Sequence, residues 1–236
     1  MKFTRLSRLF LFSLALVGCA TSEQESIRHL YAGTDWVANS PEWAIQAERV
    51  YAEATAYIEN EISERSEASW AVILDVDETV LNNVTYQIRL ERNGETYTPE
   101  TWFLWTQEEA ATLVPGAAAF LESVNSLGGH VALVTNRSDK EQLATENNLA
   151  KLGIDRGDDF RVLITRSTPN GESDKQARFE LARQTLIVQG YPDVEIVAYV
   201  GDNIGDKPDA AGNWRFFCIN QGGMYGDPCA PSLQQH

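Results

Sequence analysis

The stretch Trp70-Ala71-Val72-Ile73-Leu74-Asp75-Val76-Asp77-Glu78-Thr79 decides how the chain is read. Ala71 to Leu74 is a continuous apolar run, and such a run reads as a strand buried on both faces. Asp75 and Asp77 follow at its carboxyl end. Side chains alternate along a strand, so the two acids can point the same way, roughly 7 Å apart along the backbone. Working outward, apolar runs of the same kind occur at Val131 to Val134, Val162 to Ile164 and Ile196 to Val200, with Trp214 to Ile219 able to add one more. Helical patterns at Ala117 to Leu127, Lys140 to Leu152 and Asp174 to Val188 lie between them. Strands alternating with helices predict a doubly wound α/β sheet. Ligands of such sheets sit outside the carboxyl ends of the strands.

Upstream, Trp43, Ala44, Ala47, Val50, Tyr51, Ala54 and Tyr57 recur at spacings of three and four, predicting a helix from Pro41 to about Glu64. Ser40 suits its N-cap and Pro41 its first position. Residues 78–114 break the alternation. They are rich in aromatics and hold the turn-like Arg92-Asn93-Gly94, and they read as an insertion or cap placed directly after the first strand.

The chain has 236 residues, 43% hydrophobic and 22% charged. That is an ordinary globular composition for one domain, or one domain with an elaborate insertion. A net charge of -15 repels phosphate backbones, which argues against a nucleic-acid polymer as partner. Three Cys and three His give no zinc-finger framework and too few ligands for most zinc hydrolase sites.

Lys2, Arg5 and Arg8 precede an apolar run from Leu9 to Val17, too short to span a bilayer. Residues 1–18 therefore read as a secretory signal. It ends in Leu16-Val17-Gly18-Cys19, which resembles the bacterial lipobox, with Cys19 as the lipidated residue. The polar residues 19–38 then read as a tether, and 39–236 as the folded domain. Ala20 after the lipidated Cys resembles outer-membrane sorting, so a lipid anchor on the outer membrane, facing the periplasm, is the expectation. An exported chain is permitted disulfides. For Cys218 and Cys229, a disulfide and a pair of separate thiols both remain open. The oligomeric state is not set by the sequence, and a homodimer is compatible with it.

The chemistry collects at strand ends. The last apolar strand runs into Gly201-Asp202-Asn203-Ile204-Gly205-Asp206. One strand-end Asp is an ordinary turn or cap residue; two acidic strand ends in one sheet are not. If Asp202 and Asp206 converge with Asp75 and Asp77, each like-charged pair at 4 Å costs about 4 kcal/mol at an effective dielectric of 20. Such a site must bind protons or a cation. Oxygen ligands without His select a hard ion such as Mg²⁺. The spacing of Asp75 and Asp77 leaves room for a phosphorus atom between a nucleophile and a proton donor. Thr135-Asn136-Arg137 ends a third strand with groups able to hold phosphate oxygens. Ser173-Asp174-Lys175-Gln176 matches a capping box, with Ser173 as N-cap and Gln176 at the third position. Lys175 then falls in the first helical turn, either as a solvated lysine or as one aimed at a bound phosphate.

These pieces, in this order, resemble the haloacid dehalogenase (HAD) superfamily: Asp75, Asp77 and Thr79 as D-x-D-x-T, Thr135 as the second motif, Lys175 as the third, and Asp202 with Asp206 as the acidic fourth. Asn39-Ser40-Pro41-Glu42-Trp43, Thr101-Trp102, Thr135-Asn136-Arg137, Gly201-Asp202-Asn203 and Met224-Tyr225-Gly226-Asp227 further resemble the class C bacterial acid phosphatases of the lipoprotein e type. Lys207, and Gln221-Gly222-Gly223 before Met224, depart from that pattern. The resemblance implies a HAD-like Rossmannoid parallel sheet with helices on both faces and a small, mainly helical cap. It implies a Mg²⁺-dependent acid phosphatase acting on phosphomonoesters, nucleoside 5′-monophosphates in particular, through an aspartyl-phosphate. Asp75 is then the nucleophile and Asp77 the acid and base. Asp75, the Asp77 carbonyl and Asp202 hold the metal, with Asp206 behind them. Thr135 and Lys175 hold the transferring phosphoryl oxygens, and metal and Lys175 together keep Asp75 ionised. Asn136, Arg137, Trp102 and Tyr225 bind substrate, the two rings flanking a base. The alternatives are a HAD phosphatase or phosphotransferase for another small ester, and a non-catalytic ligand-binding lipoprotein on the same scaffold.

Overall fold

The computed structural model describes residues 29–63, 69–167 and 171–230. The signal, Cys19 and the first part of the expected tether lie outside them. In chain order the elements are α1 (Ala32–Asn39), α2 (Pro41–Ser63), β1 (Trp70–Leu74), β2 (Leu81–Asn82), α3 (Val84–Asn93), α4 (Pro99–Glu108), β3 (Thr112–Leu113), α5 (Ala117–Ser126), β4 (His130–Ser138), α6 (Gln142–Lys151), β5 (Val162–Arg166), α7 (Gln176–Val188), β6 (Glu195–Gly201) and β7 (Arg215–Cys218).

Five strands among the described residues form a parallel sheet in the order β5-β4-β1-β6-β7. All five residues of β1 are buried, as a central parallel strand requires. Its side chains alternate between two cores. Val72 and Leu74 join α2 and α5, through Tyr51 and Phe120 among others. Ala71 and Ile73 face Phe179, Ala182 and Leu186 of α7. Leu74 pairs with Leu133 on one side and Val200 on the other, so Thr135 of β4 and Asp202 after β6 stand one position beyond the level of Asp75. That register brings Asp75, Thr135 and Asp202 to one edge of the sheet.

Residues 81–113 form the cap side. β2 and β3 make a short antiparallel ribbon at its base, pairing Leu81 with Leu113, and α3 and α4 rise between them. Thr98 caps α4 in a reciprocal capping box with Thr101, with Pro99 in the first turn. The ribbon went unread because two-residue strands carry no periodicity.

Two expectations need correction. Residues 32–38 are not tether: α1 buries Gly33, Thr34 and Val37. Tyr31 N–H donates to Glu91 Oε2 at 2.8 Å, and the Thr34 hydroxyl bonds the same carboxylate. Two of the three buried residues are small or polar, so α1 shows no apolar stripe. The capping box at Ser173 is also absent. α7 begins at Gln176, whose N–H is taken by Asp174 Oδ1 at 2.9 Å, which leaves Lys175 at the cap position itself. Cys218 and Cys229 are joined as a disulfide with Cα atoms 5.9 Å apart, closing the alternative of separate thiols.

Candidate active site

Lys175 sits at the centre of one half of the site, 3% exposed. Its ammonium donates to Asp206 Oδ1 at 2.6 Å and also to Asp75 Oδ1. Asp75 is fixed to the neighbouring strand by its N–H bond to Val200 O, 3.0 Å. Asp206 returns under the end of β6 because residue 201 is glycine. A Cβ there would lie 2.4 Å from Asp206 Oδ2. Asp206 Oδ2 accepts the Asn203 N–H at 2.9 Å, which holds the turn closed.

Oxygens of Asp75, Asp202 and Asp206 lie within 4.8 Å of one another, all three residues buried. Asp202 Oδ2 takes the Asn203 amide, but Asp202 Oδ1 is buried with no hydrogen-bond partner among the described residues. A buried carboxylate oxygen without a donor is costly. Three acids share one lysine, so this oxygen lacks a cation. Burial pushes the Asp75 carboxyl up to about 7 against the pull of Lys175, with Asp206 and Asp77 adding to the rise. Burial, then Asp206 and Asp75, hold Asp202 well above the ordinary range. Burial alone would lower the Lys175 ammonium, but Asp75 and Asp206 raise it above the usual lysine value. The donor set, oxygen only with one oxygen unmet, fits a hard divalent cation. Asp206 lies in this triad with both oxygens already engaged, Oδ1 by Lys175 and Oδ2 by the Asn203 N–H.

The other half is organised around Asp77. Arg137 grips its carboxylate through Nε at 2.9 Å and Nη2 at 2.8 Å. Asn83 Nδ2 donates to the same Oδ1 at 2.9 Å. Asn83 also accepts from Trp105 Nε1 at 2.9 Å and offers its backbone N–H to Glu78 Oε1 at 2.6 Å. Glu78 turns the chain out of β1 in the left-handed region, φ 56°, where a non-glycine residue is strained. Burial, with Asp77 beside it, lifts the Glu78 carboxyl well above its ordinary value.

Several assignments shift as a result. Arg137 lines the cavity beside Asp77, while its guanidinium donates to Asp77, Asn83 and Thr145 and is 1% exposed. Thr135 is fully buried and its hydroxyl accepts the Arg137 N–H at 3.0 Å. Asn136 reaches the crevice, as does Tyr225. Trp102 is partly buried, edge-on to Tyr86 with ring centroids 5.2 Å apart, and lines a cavity of about 410 Å³ beside Asp77. Trp105 belongs to the core.

Four contributors escaped the sequence reading. Asn83 and Glu78 are described above. Arg178 donates to Asn136 Oδ1 at 2.6 Å and to the carbonyls of Ser173 and Asp174 at 3.0 and 3.1 Å, besides that of Thr135. It ties the end of β4 to the loop carrying Lys175. Its spacing, three residues after Lys175, was the available signal. Gln221 holds the backbone N–H and C=O of Tyr225 with one amide. The departure at 221 thus has a structural job.

A buried carboxylate paired with a lysine at the sheet's edge, a second carboxylate clamped by arginine, and an acidic triad short of a cation define a site for phosphoryl chemistry. The chain belongs to the HAD superfamily, subfamily IIIB, the acid phosphatases, whose family model matches residues 22–228. It is 26% identical to acid phosphatase 1 of Solanum lycopersicum over 179 residues, 75% of this chain and 67% of that protein. It is 30% identical to the stem 28 kDa glycoprotein of Glycine max over 139 residues, covering 57% of this chain and 51% of the other. Vegetative storage protein 1 of Arabidopsis thaliana is 24% identical over 174 residues, 73% of this chain and 61% of that one. Among solved structures, the class C acid phosphatase from Bacillus anthracis superposes with a TM-score of 0.64 at 26% identity, covering 74% of this chain and 69% of that chain. The same enzyme with tungstate bound gives 0.63 at 25% identity, again covering 74% and 69%. The fold and site are those of a HAD phosphomonoesterase.

Proposed function

We propose that the protein is a Mg²⁺-dependent acid phosphatase that hydrolyses nucleoside 5′-monophosphates, held by lipid at Cys19 on the outer membrane and facing the periplasm. The observation that carries the chemistry is the buried Asp75–Lys175 pair beside an Asp202 oxygen that has no donor. Tungstate, a phosphate-like oxyanion, bound to a related structure is consistent with it.

In this reading an Asp75 oxygen attacks phosphorus, the P–O bond to the leaving alcohol breaks, and Asp77 passes its proton to that oxygen. Donation leaves Asp77 as the carboxylate that Arg137 and Asn83 stabilise. The same carboxylate then takes a proton from the water that cleaves the aspartyl-phosphate. Lys175 neutralises charge on the phosphoryl oxygens while staying paired with Asp75 and Asp206. Asp75, Asp202 and Asp206 would hold Mg²⁺, which supplies further charge neutralisation at the transferring group. Trp102 and Tyr225 line the cavity beside Asp77 and give a leaving base two rings to meet.

The storage proteins among the relatives keep a binding-only reading in view. Against it, this chain keeps Asp75 in contact with Lys175, and Asp77 two residues on, at the same end of the sheet. The deciding experiment is phosphate release from a panel of monoesters, after chelation and with Mg²⁺ restored. Hydrolysis should vanish and return, and Asp202→Asn should raise the Mg²⁺ requirement roughly 10–100-fold. Activity unaffected by chelation would remove the metal reading. The nucleotide preference is checked with Trp102→Ala, which should lose roughly tenfold on a nucleoside monophosphate and little on glycerol phosphate. The anchor is checked by Cys19→Ser, which should leave the membrane fraction.

A further inference from the structure

Beyond Trp102 the crevice continues into a second cavity of about 390 Å³. The two cavities share Tyr97, Trp102, Asn136 and Arg166 as walls. Ser138 and Lys140 close the far side. The backbone explains this grouping. Ser138 at the end of β4 pairs across the sheet with Arg166 at the end of β5, and Lys140 follows two residues later in a short turn. Arg166 therefore stands one strand away from the Arg137 that grips Asp77.

The charges of this second cavity are uneven in a specific way. Arg137 is committed to Asp77. Glu141 also lines the cavity, but its carboxylate is 4% exposed and accepts the Ser138 N–H at 2.5 Å. Glu100 lies on its exposed rim. Lys140 and Arg166 have no ion-pair partner among the described residues. The chain has 34 acids against 19 lysines and arginines, yet among the described residues no carboxylate lies within ion-pair distance of these two. Cations left unpaired beside an apolar wall are a recognition surface for an anion, because a charge-assisted bond there meets little competition.

We infer that the preferred substrates are phosphomonoesters whose leaving group carries a second anionic group, seated between Arg166 and Lys140. This deepens the phosphatase reading and rests on it. The phosphate to be cleaved lies at Asp75 and Lys175. The organic part fills the cavity along Trp102, and its distal anion reaches the second cavity. The chemistry of cleavage is unchanged: one P–O bond breaks, water supplies the hydroxyl, and the distal anion leaves intact on the alcohol.

The experiment measures kcat/KM for matched pairs of esters: adenosine 3′,5′-bisphosphate against adenosine 5′-monophosphate, and 4-carboxyphenyl phosphate against phenyl phosphate. The first pair tests a distal phosphate and the second a distal carboxylate without any base. The wild-type ratio should be tenfold or more in favour of the doubly anionic ester in at least one pair. It should fall towards one in Arg166→Gln and in Lys140→Gln, and recover partly in Arg166→Lys. Added salt should shrink it. Hydrolysis of the singly anionic esters with no preference for the second charge overturns this inference alone. A preference that survives both substitutions also overturns it. Hydrolysis of no ester at all would remove the phosphatase reading and this inference with it.

Discussion

The two carboxylates of the first motif are two residues apart and live in opposite circumstances. Asp75 belongs to a wing of three buried acids and one lysine, in which one Asp202 oxygen has no hydrogen-bond partner among the described residues. Asp77 belongs to a wing in which every carboxylate oxygen has a hydrogen-bond donor. Arg137 and Asn83 hold it, and Asn83 in turn holds Glu78 and Trp105. The acidic wing sets three carboxylates against one lysine, a set that could hold a cation. The Asp77 wing is complete as it stands. One half of the site is thus built to be filled, and the other to keep a proton-transfer group in a fixed place. Substitutions in the two wings should fail in different ways.

The largest effect should come from the acidic wing. Asp75→Asn removes the nucleophile, and turnover should fall by at least about a thousandfold. The shape is kept and one charge leaves a crowded cluster, so the melting temperature should hold or rise. Phosphate release from purified protein, paired with a thermal melt, measures both. Appreciable turnover in folded Asp75→Asn would end the case for an aspartyl-phosphate.

The Asp77 wing should lose less, and differently. Asn83→Ala leaves the Trp105 N–H without its acceptor, removes the side-chain amide that donates to Glu78 Oε2 at 3.3 Å, and takes one of Asp77's donors. Each buried group left unmet costs about 1–3 kcal/mol. A fall in kcat of roughly tenfold is expected from a less firmly held Asp77. The discriminating readout is a titration of activity against Mg²⁺. Asn83→Ala should leave its midpoint in place, because Asn83 touches none of the triad. A shifted midpoint would mean that the two wings are not separate.

The sequence shows the acidic wing more clearly than the other for a physical reason. Asp75, Asp202, Asp206 and Lys175 occupy strand ends and a helix start, where few residue types and short spacings suffice to mark them. The parallel sheet is equally legible, since its strands are buried on both faces and read as unbroken apolar runs. The Asp77 wing depends on Asn83, Trp105 and Arg137 meeting across 54 positions of sequence, and no local pattern announces that. Arg137 belongs to the Thr135-Asn136-Arg137 stretch that the resemblance marks for substrate binding. Only the packed structure shows its guanidinium already occupied. The capping box at Ser173 was a true pattern overridden locally, since Asp174 takes the N–H that would have been capped.

The smallest effect expected is also the one furthest from the chemistry. Tyr225 lines both the cavity beside Asp77 and the one around the acids, so its segment joins the two wings. That segment is braced from behind by α1, the stretch that reads as tether. A Cβ on Gly33 would lie 2.6 Å from Met224 N and 2.9 Å from the Gly223 carbonyl carbon, both backbone atoms that cannot swing aside. Gly33→Ala must therefore move α1 or the 223–226 segment. Overpacking of this kind costs about 1–3 kcal/mol, and in a domain this size that is about 2–12 °C in melting temperature. If the segment yields, Tyr225 shifts and KM for an aromatic ester should rise about two- to fivefold, on the order of 0.5–1 kcal/mol, with kcat nearly kept. If α1 yields instead, stability falls and KM stays. A melt and a Michaelis curve on the same sample separate the two. An unchanged melting temperature would show that α1 does not pack on the site's rear wall, and would return residues 32–38 to the tether.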